Sequence, residues 1–320
     1  MALSRLDPCS RMTGLPKTAP RAGLRLNIPS YVGVRQFAVR CRSVSTSGHS
    51  MVDTSAMAPR LKELRETGTF GPWLTGLHLA TGSARLMGLV KLLNSSVLVE
   101  IPETPGRRGH LLLWNPIAMT AALKRSLREI EERTGTALEQ ILNPFDWHHF
   151  SLLDWQAAFP AAEIFVVIER PLDLNRDLEA TVLDPDAPEL PGTEGILDLW
   201  AVPGCLGPSL ERNEKWKNGR RHEIFVRHRP SSTLLMGDMF SYHRRLSFTE
   251  RMMRMHEGFT FNSVGFRVRD RARLKAFLDE VLGAKIERTL TVHGSAIAEG
   301  GEFIREDLIS AIESAVGSLQ

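Results

Sequence analysis

The sequence predicts a layered α/β protein of the α+β kind, and two observations carry that prediction. Between Ser95 and Val316, short apolar runs such as Val97–Ile101, His110–Trp114 and Leu138–Leu142 alternate with longer stretches whose apolar residues recur every three or four positions. Strands and helices that alternate in this way bury their apolar faces by stacking as layers. The strand-like runs also end in turn chemistry: Asn115-Pro116, Asn143-Pro144, Pro203-Gly204, Gly237-Asp238 and His293-Gly294. Such dipeptides stop a strand and free the next residues for a loop.

Each element has its own justification. Residues 51–92 read as an irregular lead-in, with helical spacing over Ala58–Glu66 and Gly-rich turns at Gly68, Gly71 and Gly76. Val97–Ile101 and His110–Trp114 read as a hairpin across the Pro102–Gly109 turn. Thr120–Thr134 places Ala121, Leu123, Leu127 and Ile130 on one face and is closed by Gly135, which marks an amphipathic helix. A strand over Leu138–Leu142, a helix over Ser151–Phe159 and a strand over Ile164–Ile168 continue the alternation. Residues 171–195 are acidic and Pro-rich and read as a surface insertion. Strands resume over Ile196–Val202. A basic loop, Lys215–Arg221, then leads into a hairpin of His222–His228 and Thr233–Met236 that turns at Arg229–Ser232. A Met-rich helix (Thr249–His256), a helix over Arg271–Leu282 stopped by Gly283, a strand over Ile286–Val292 and a last helix over Glu302–Val316 complete the chain.

Charge separates the N-terminal segment from the rest. Residues 1–50 hold seven Arg, one Lys and a single acid, Asp7, so they carry +7 of a chain total of +3, and residues 51–320 carry −4 by difference. Arg-rich, Ser-rich, acid-poor composition is that of a transit peptide, disordered until used, and the expected destination is mitochondrial, with cytoplasmic the alternative. An acidic remainder offers no bulk basic surface and argues against nucleic acid as a partner. No apolar run approaches the roughly 20 residues of a membrane span. Three cysteines, two of them (Cys9 and Cys41) in the leader, leave Cys205 alone and exclude a disulfide framework.

The residues able to carry chemistry cluster just past strand ends. Asp146-Trp147-His148-His149 follows one strand, and Cys205, Asp238 and His293 follow three others. Loops at strand ends leave side chains free to converge while the strands hold the backbone. Imidazole, carboxylate and thiolate are the ligands zinc and iron accept. Taken singly, each has a plainer reading: Gly-Asp and His-Gly as turns, Cys205 as a small buried hydrophobe.

In their order these turns resemble the metallo-β-lactamase fold, over about residues 93–300. That family reads His-x-His-x-Asp-His, then Pro-Gly-His, then Gly-Asp, then a final His. By that resemblance His149 stands at the last His of the first motif and His148 at its Asp. Asp146 and Pro144 stand where its first two His would be, Cys205 at the His of Pro-Gly-His, Asp238 at the bridging carboxylate and His293 at the final His. The resemblance implies an αββα sandwich over residues 93–320 and one metal ion, zinc or iron, drawn from His148, His149, Asp238, His293, Asp146 and Cys205. It further implies metal-dependent hydrolysis of a small ester, thioester or lactone, with Asp238 orienting water. Loss of the first motif's leading histidines opens the alternative of a degenerate member that binds a ligand or partner without catalysis.

Overall fold

The computed structural model describes residues 62–86, 90–184, 186–203, 205–206, 220–221, 223–246, 251, 257–262, 266–268 and 270–317. Residues 1–50, expected to be a transit peptide, His222, most of the expected Lys215–Arg221 loop and, apart from Arg251, the expected Thr249–His256 helix lie outside them.

Two sheets face each other. The first has seven strands in chain order: β2 (Gly71–Leu74), β3 (Leu77–Leu86), β4 (Val90–Ile101), β5 (His110–Trp114), β6 (Leu138–Asn143), β7 (Glu163–Val166) and β8 (Thr181–Val182). Pairing is antiparallel from β2 to β5 and parallel from β5 to β8. The second sheet has six strands in the spatial order β1 (Lys62–Glu63), β18 (Ala296–Glu299), β17 (Arg288–Thr291), β13 (Thr233–Met236), β12 (Ile224–His228) and β9 (Leu197–Ala201). Only β13 and β17 run parallel in it. Two small sheets complete the set: β14 (Phe240–His243) with β15 (Gly258–Phe261), and β10 (Cys205–Leu206) between β11 (Arg220–Arg221) and β16 (Arg267–Val268).

Helices cover both outer faces. On the first sheet lie α1 (Ala121–Thr134) and α2 (Leu152–Ala158), with α3 (Arg170–Leu174) following β7; α4 (Arg271–Gly283) and α5 (Gly301–Gly317) cover the second sheet. Strand alternation divides the apolar residues among three cores. In β5, Leu111 and Leu113 pack with Leu123, Leu127 and Trp155 of α1 and α2, whereas Leu112 and Trp114 pack between the sheets with Ile224, Val226 and Leu290. In β12, Phe225 turns the other way, toward Leu274, Phe277 and Val281 of α4. The period of two sends neighbours to opposite faces, and both faces are covered, so a fully buried run such as His110–Trp114 reads as continuously apolar. The result is an αββα sandwich.

Caps set the helix limits. The Thr120 hydroxyl accepts from Leu123 N at 3.1 Å, and Gly135 ends α1 with φ 69°. Asp270 does the same for α4, accepting from Arg273 N at 2.9 Å. A side-chain oxygen at the N-cap satisfies a backbone donor that has no partner inside the helix, and a left-handed residue closes the far end.

Several segments differ from the sequence reading. Much of residues 51–92, expected to be irregular, forms β2, β3 and the start of β4, with pairs running from Leu77↔Val99 to Leu86↔Val90. The Leu77–Leu86 run is interrupted by Ala, Gly and Ser, so its propensity is low, and its partner strand supplies the order. Lys62 and Glu63, expected in a helical stretch, pair with β18. Within residues 171–195 the chain returns to the first sheet as β8, and Ala296–Glu299, unmarked by the reading, is a strand because it pairs with β17 on one side and β1 on the other.

Candidate functional site

Four hydrogen bonds join the loops at one end of the sandwich. Ser95 N donates to Val292 O at 2.9 Å, Leu64 N to Ser295 O at 2.8 Å, Ile224 N to Pro144 O at 2.8 Å and Ser295 N to Tyr242 O at 2.9 Å. They tie the turns after β6 and β17 to neighbouring elements. The His293-Gly294 turn also has a steric reason: a Cβ on residue 294 would lie 2.5 Å from Thr291 Oγ1 and 2.7 Å from Tyr242 O, so only glycine fits.

At this end His148 and His293 meet. Their Nε2 atoms are 3.1 Å apart, and the rings cross edge to face with centroids 4.9 Å apart. His148 Nδ1 lies 2.9 Å from Asn115 Oδ1. Asn115 directs its Nδ2 at Asn94 Oδ1 (3.0 Å) and Ser95 O (2.6 Å), two acceptors, which leaves its oxygen facing the imidazole. His148 Nδ1 therefore carries the hydrogen. His293 Nδ1 lies 2.9 Å from the Leu93 carbonyl, which can only accept, so it carries the hydrogen as well. The two Nε2 atoms then face each other at 3.1 Å, a contact that needs a shared hydrogen or a cation between the lone pairs.

Asp238 supplies negative charge beside the pair, with Oδ1 3.6 Å from His293 Nε2. Its loop is held from below by Glu223, which is buried and precedes β12. Glu223 Oε1 accepts from Gly237 N at 2.9 Å, and Oε2 accepts from Asp238 N at 3.0 Å and Met239 N at 2.8 Å. Burial first and the Asp238 charge second push the Glu223 carboxyl up to about 8. Burial, then the neighbouring imidazoles of His293 and His149, holds His148 well below the ordinary histidine range.

The other expected residues stand apart from this pair. Asp146 is buried and its carboxylate is 3.0 Å from the buried guanidinium of Arg170, which also lies 5.8 Å from the Trp147 ring centre. His149 is buried with Nδ1 3.0 Å from Asp146 O, and its ring lies 4.4 Å from that of Phe150, which is 81% exposed. The backbone of Cys205 pairs with Arg221 and Val268 in the small three-stranded sheet. Among the described residues no group of three or more His, Cys, Asp or Glu is arranged to hold a metal ion. His148 and His293, with Asp238 just beyond, come nearest to one.

Solved structures were compared with this architecture. A metallo-β-lactamase from Erythrobacter litoralis, with β-mercaptoethanol in its active site, is 13% identical and superposes at a TM-score of 0.52 over 79% of this chain and 100% of its own. The chain has the metallo-β-lactamase fold. The structure of TMB-1, described for residues acting in substrate and inhibitor binding, is similar at a TM-score of 0.50, with 11% identity over 81% of this chain and 99% of its own. No protein-family model and no curated protein matches the sequence. Among the described residues of this metallo-β-lactamase-fold chain, no helix is long and apolar enough to cross a membrane.

Sequence reasoning passed over Asn115, which organises the site, and Arg170, which pairs with Asp146. Asn115 was read only as a strand stop; its φ of 54°, in the left-handed region that Asn tolerates, aims its amide at His148. Arg170 gave no signal, because its partner lies 24 positions away.

Proposed function

We propose that the chain binds one metal ion, zinc or iron, between His148 and His293 with Asp238 as the third ligand, and hydrolyses a small ester, thioester or lactone there. The observation that carries this reading is the pair of Nε2 atoms facing each other at 3.1 Å, each ring held on its far side through Nδ1. Histidine ligands are ordinarily oriented in this way, through the other ring N–H to a carbonyl or carboxylate. Spacing agrees. Bonds of about 2.0–2.1 Å at tetrahedral angles put neighbouring ligand atoms about 3.3–3.4 Å apart, and the observed separations, 3.1 and 3.6 Å, bracket that value.

When bound, the ion would supply Lewis acidity and a water acidic enough to attack at neutral pH. The protein's own residues do the rest. Asn115 and the Leu93 carbonyl keep both imidazoles in one tautomer, and Glu223 keeps the Asp238 backbone in place through three N–H bonds. Asp238, partly exposed, is the carboxylate able to accept a proton from an attacking water.

A second reading, binding without catalysis, is favoured by Asp146. Its charge is neutralised internally by Arg170, so it has no call for a second metal. Metal analysis of the purified chain and of Asp238→Asn tests the proposal. We expect one zinc or iron per chain, reduced in the variant while the melting temperature of both chelated proteins stays the same. Equal metal content in the two would sink the site. One ion with no turnover of ester, thioester or lactone substrates would favour the second reading.

A further inference from the structure

A second concave site lies at the other end of the sandwich. β12 has Glu223 before its first residue and His228 as its last, and five residue steps at about 3.4 Å place the two about 17 Å apart. Beside His228 is a cavity of about 560 Å³, whose walls include Gly76, Glu100, Glu103, Arg108 and Thr136. None of these residues belongs to the His148 and His293 site.

His228 is 2% exposed and lines this cavity. Its tautomer is set by a directional chain of bonds. Thr233 Oγ1 donates to the Ser231 carbonyl, a group that can only accept, and Ser231 Oγ donates to Thr233 Oγ1 at 2.8 Å. Ser231 Oγ has therefore used its hydrogen and accepts from His228 Nδ1 at 2.8 Å. Nε2 is left as a bare acceptor, with no hydrogen-bond partner among the described residues. Burial supports the neutral ring, pushing His228 down to about 4.

Glu100 contributes a second acceptor. Its Oε1 lies 2.6 Å from Nε2 of His78, a buried residue whose Nδ1 has no partner. With Nδ1 buried and without a partner, the hydrogen that joins the two groups lies on Nε2, which donates to Glu100 Oε1. The other Glu100 oxygen has no partner among the described residues. Gly76 leaves the wall open beside His228: a Cβ there would be 3.9 Å from both Cε1 and Nε2 of the ring and 3.8 Å from the Glu100 carbonyl oxygen.

We propose that this cavity binds a small molecule through a primary ammonium group, which donates to His228 Nε2 and to the Glu100 carboxylate. Two acceptors lining one cavity, one of them a carboxylate, favour a donor over an anion there. A hydroxyl has a single hydrogen to share between them, whereas an ammonium has three. A metal ion is a poorer match, since His78 is committed to Glu100 and no three ligating side chains group here among the described residues. Arg108, exposed at the rim, is placed for an anionic group on the same molecule.

The test uses the full chain with butylammonium and lysine as probes, and tetramethylammonium and butanol as controls without an N–H donor. Binding is followed by calorimetry and by the imidazole ¹⁵N resonances. We expect saturable binding of butylammonium and lysine that shifts Nε2 of His228 and leaves His148 and His293 unmoved. It should weaken at least tenfold in Glu100→Gln, whose amide oxygen still accepts from His78, and in His228→Asn, whose amide nitrogen still reaches Ser231. Absence of saturable binding overturns the assignment, as do equal affinity for tetramethylammonium or undiminished binding in Glu100→Gln. Zinc binding that depends on Glu100, without ammonium binding, would replace it with a metal site.

Discussion

Acidification should expose the cost of burying His228. The ring is 2% exposed and is held neutral, with its pKa pushed down to about 4 by burial, against 6.5 when unfolded. Between those two values the unfolded chain binds the proton and the folded chain does not, so stability falls as pH falls through the window. Each unit is worth about 1.4 kcal/mol, so the contribution lost between pH 6.5 and 4 is at most about 3 kcal/mol. Carboxylates titrate over part of the same range, which makes a difference measurement necessary. Urea unfolding of the wild type and of His228→Asn at half-unit steps from pH 4 to 7.5 isolates the term, because Asn does not titrate and keeps the bond to Ser231. The wild type should lose about 2–3 kcal/mol more than the variant across the window. Parallel stability curves would refute the argument and show that water reaches the ring.

Three further outcomes follow from the described contacts. Gly237→Ala would set a Cβ 2.8 Å from Glu223 Cδ and 3.0 Å from the Phe145 ring, so thermal melting should show a loss of about 1–3 kcal/mol from overpacking; an unchanged transition would mean that the Asp238 loop is not held there. Arg170→Met removes the guanidinium beside the buried Asp146 carboxylate and should cost about 3–5 kcal/mol in chemical denaturation, most of it recovered in the double variant with Asp146→Asn. A double variant no more stable than Arg170→Met contradicts that account. Asn115→Ala removes the acceptor that orients His148, and zinc titration of the chelated protein should show about 10–100-fold weaker binding. Unaltered affinity would disconnect Asn115 from the site.

The sequence by itself determined the layers. Local periodicity and stop residues such as Gly135 and Gly283 report which face of a segment is apolar and where it ends, and these are properties of neighbours in the chain. It also marked the turns after β6, β13 and β17 as places where reactive groups collect. Tertiary structure decided which of those groups meet. Adjacent imidazoles point in different directions, so the choice of His148 over His293's other candidate neighbour, His149, rests on the Asn115 and Leu93 bonds from other strands. The Asp146 charge is settled by Arg170, the Asp238 loop by Glu223, and β3 by its pairing with β4. Each is an interaction between residues distant in sequence. No local pattern encodes such a partner, because its energy exists only once the chain has brought both groups out of water and into contact.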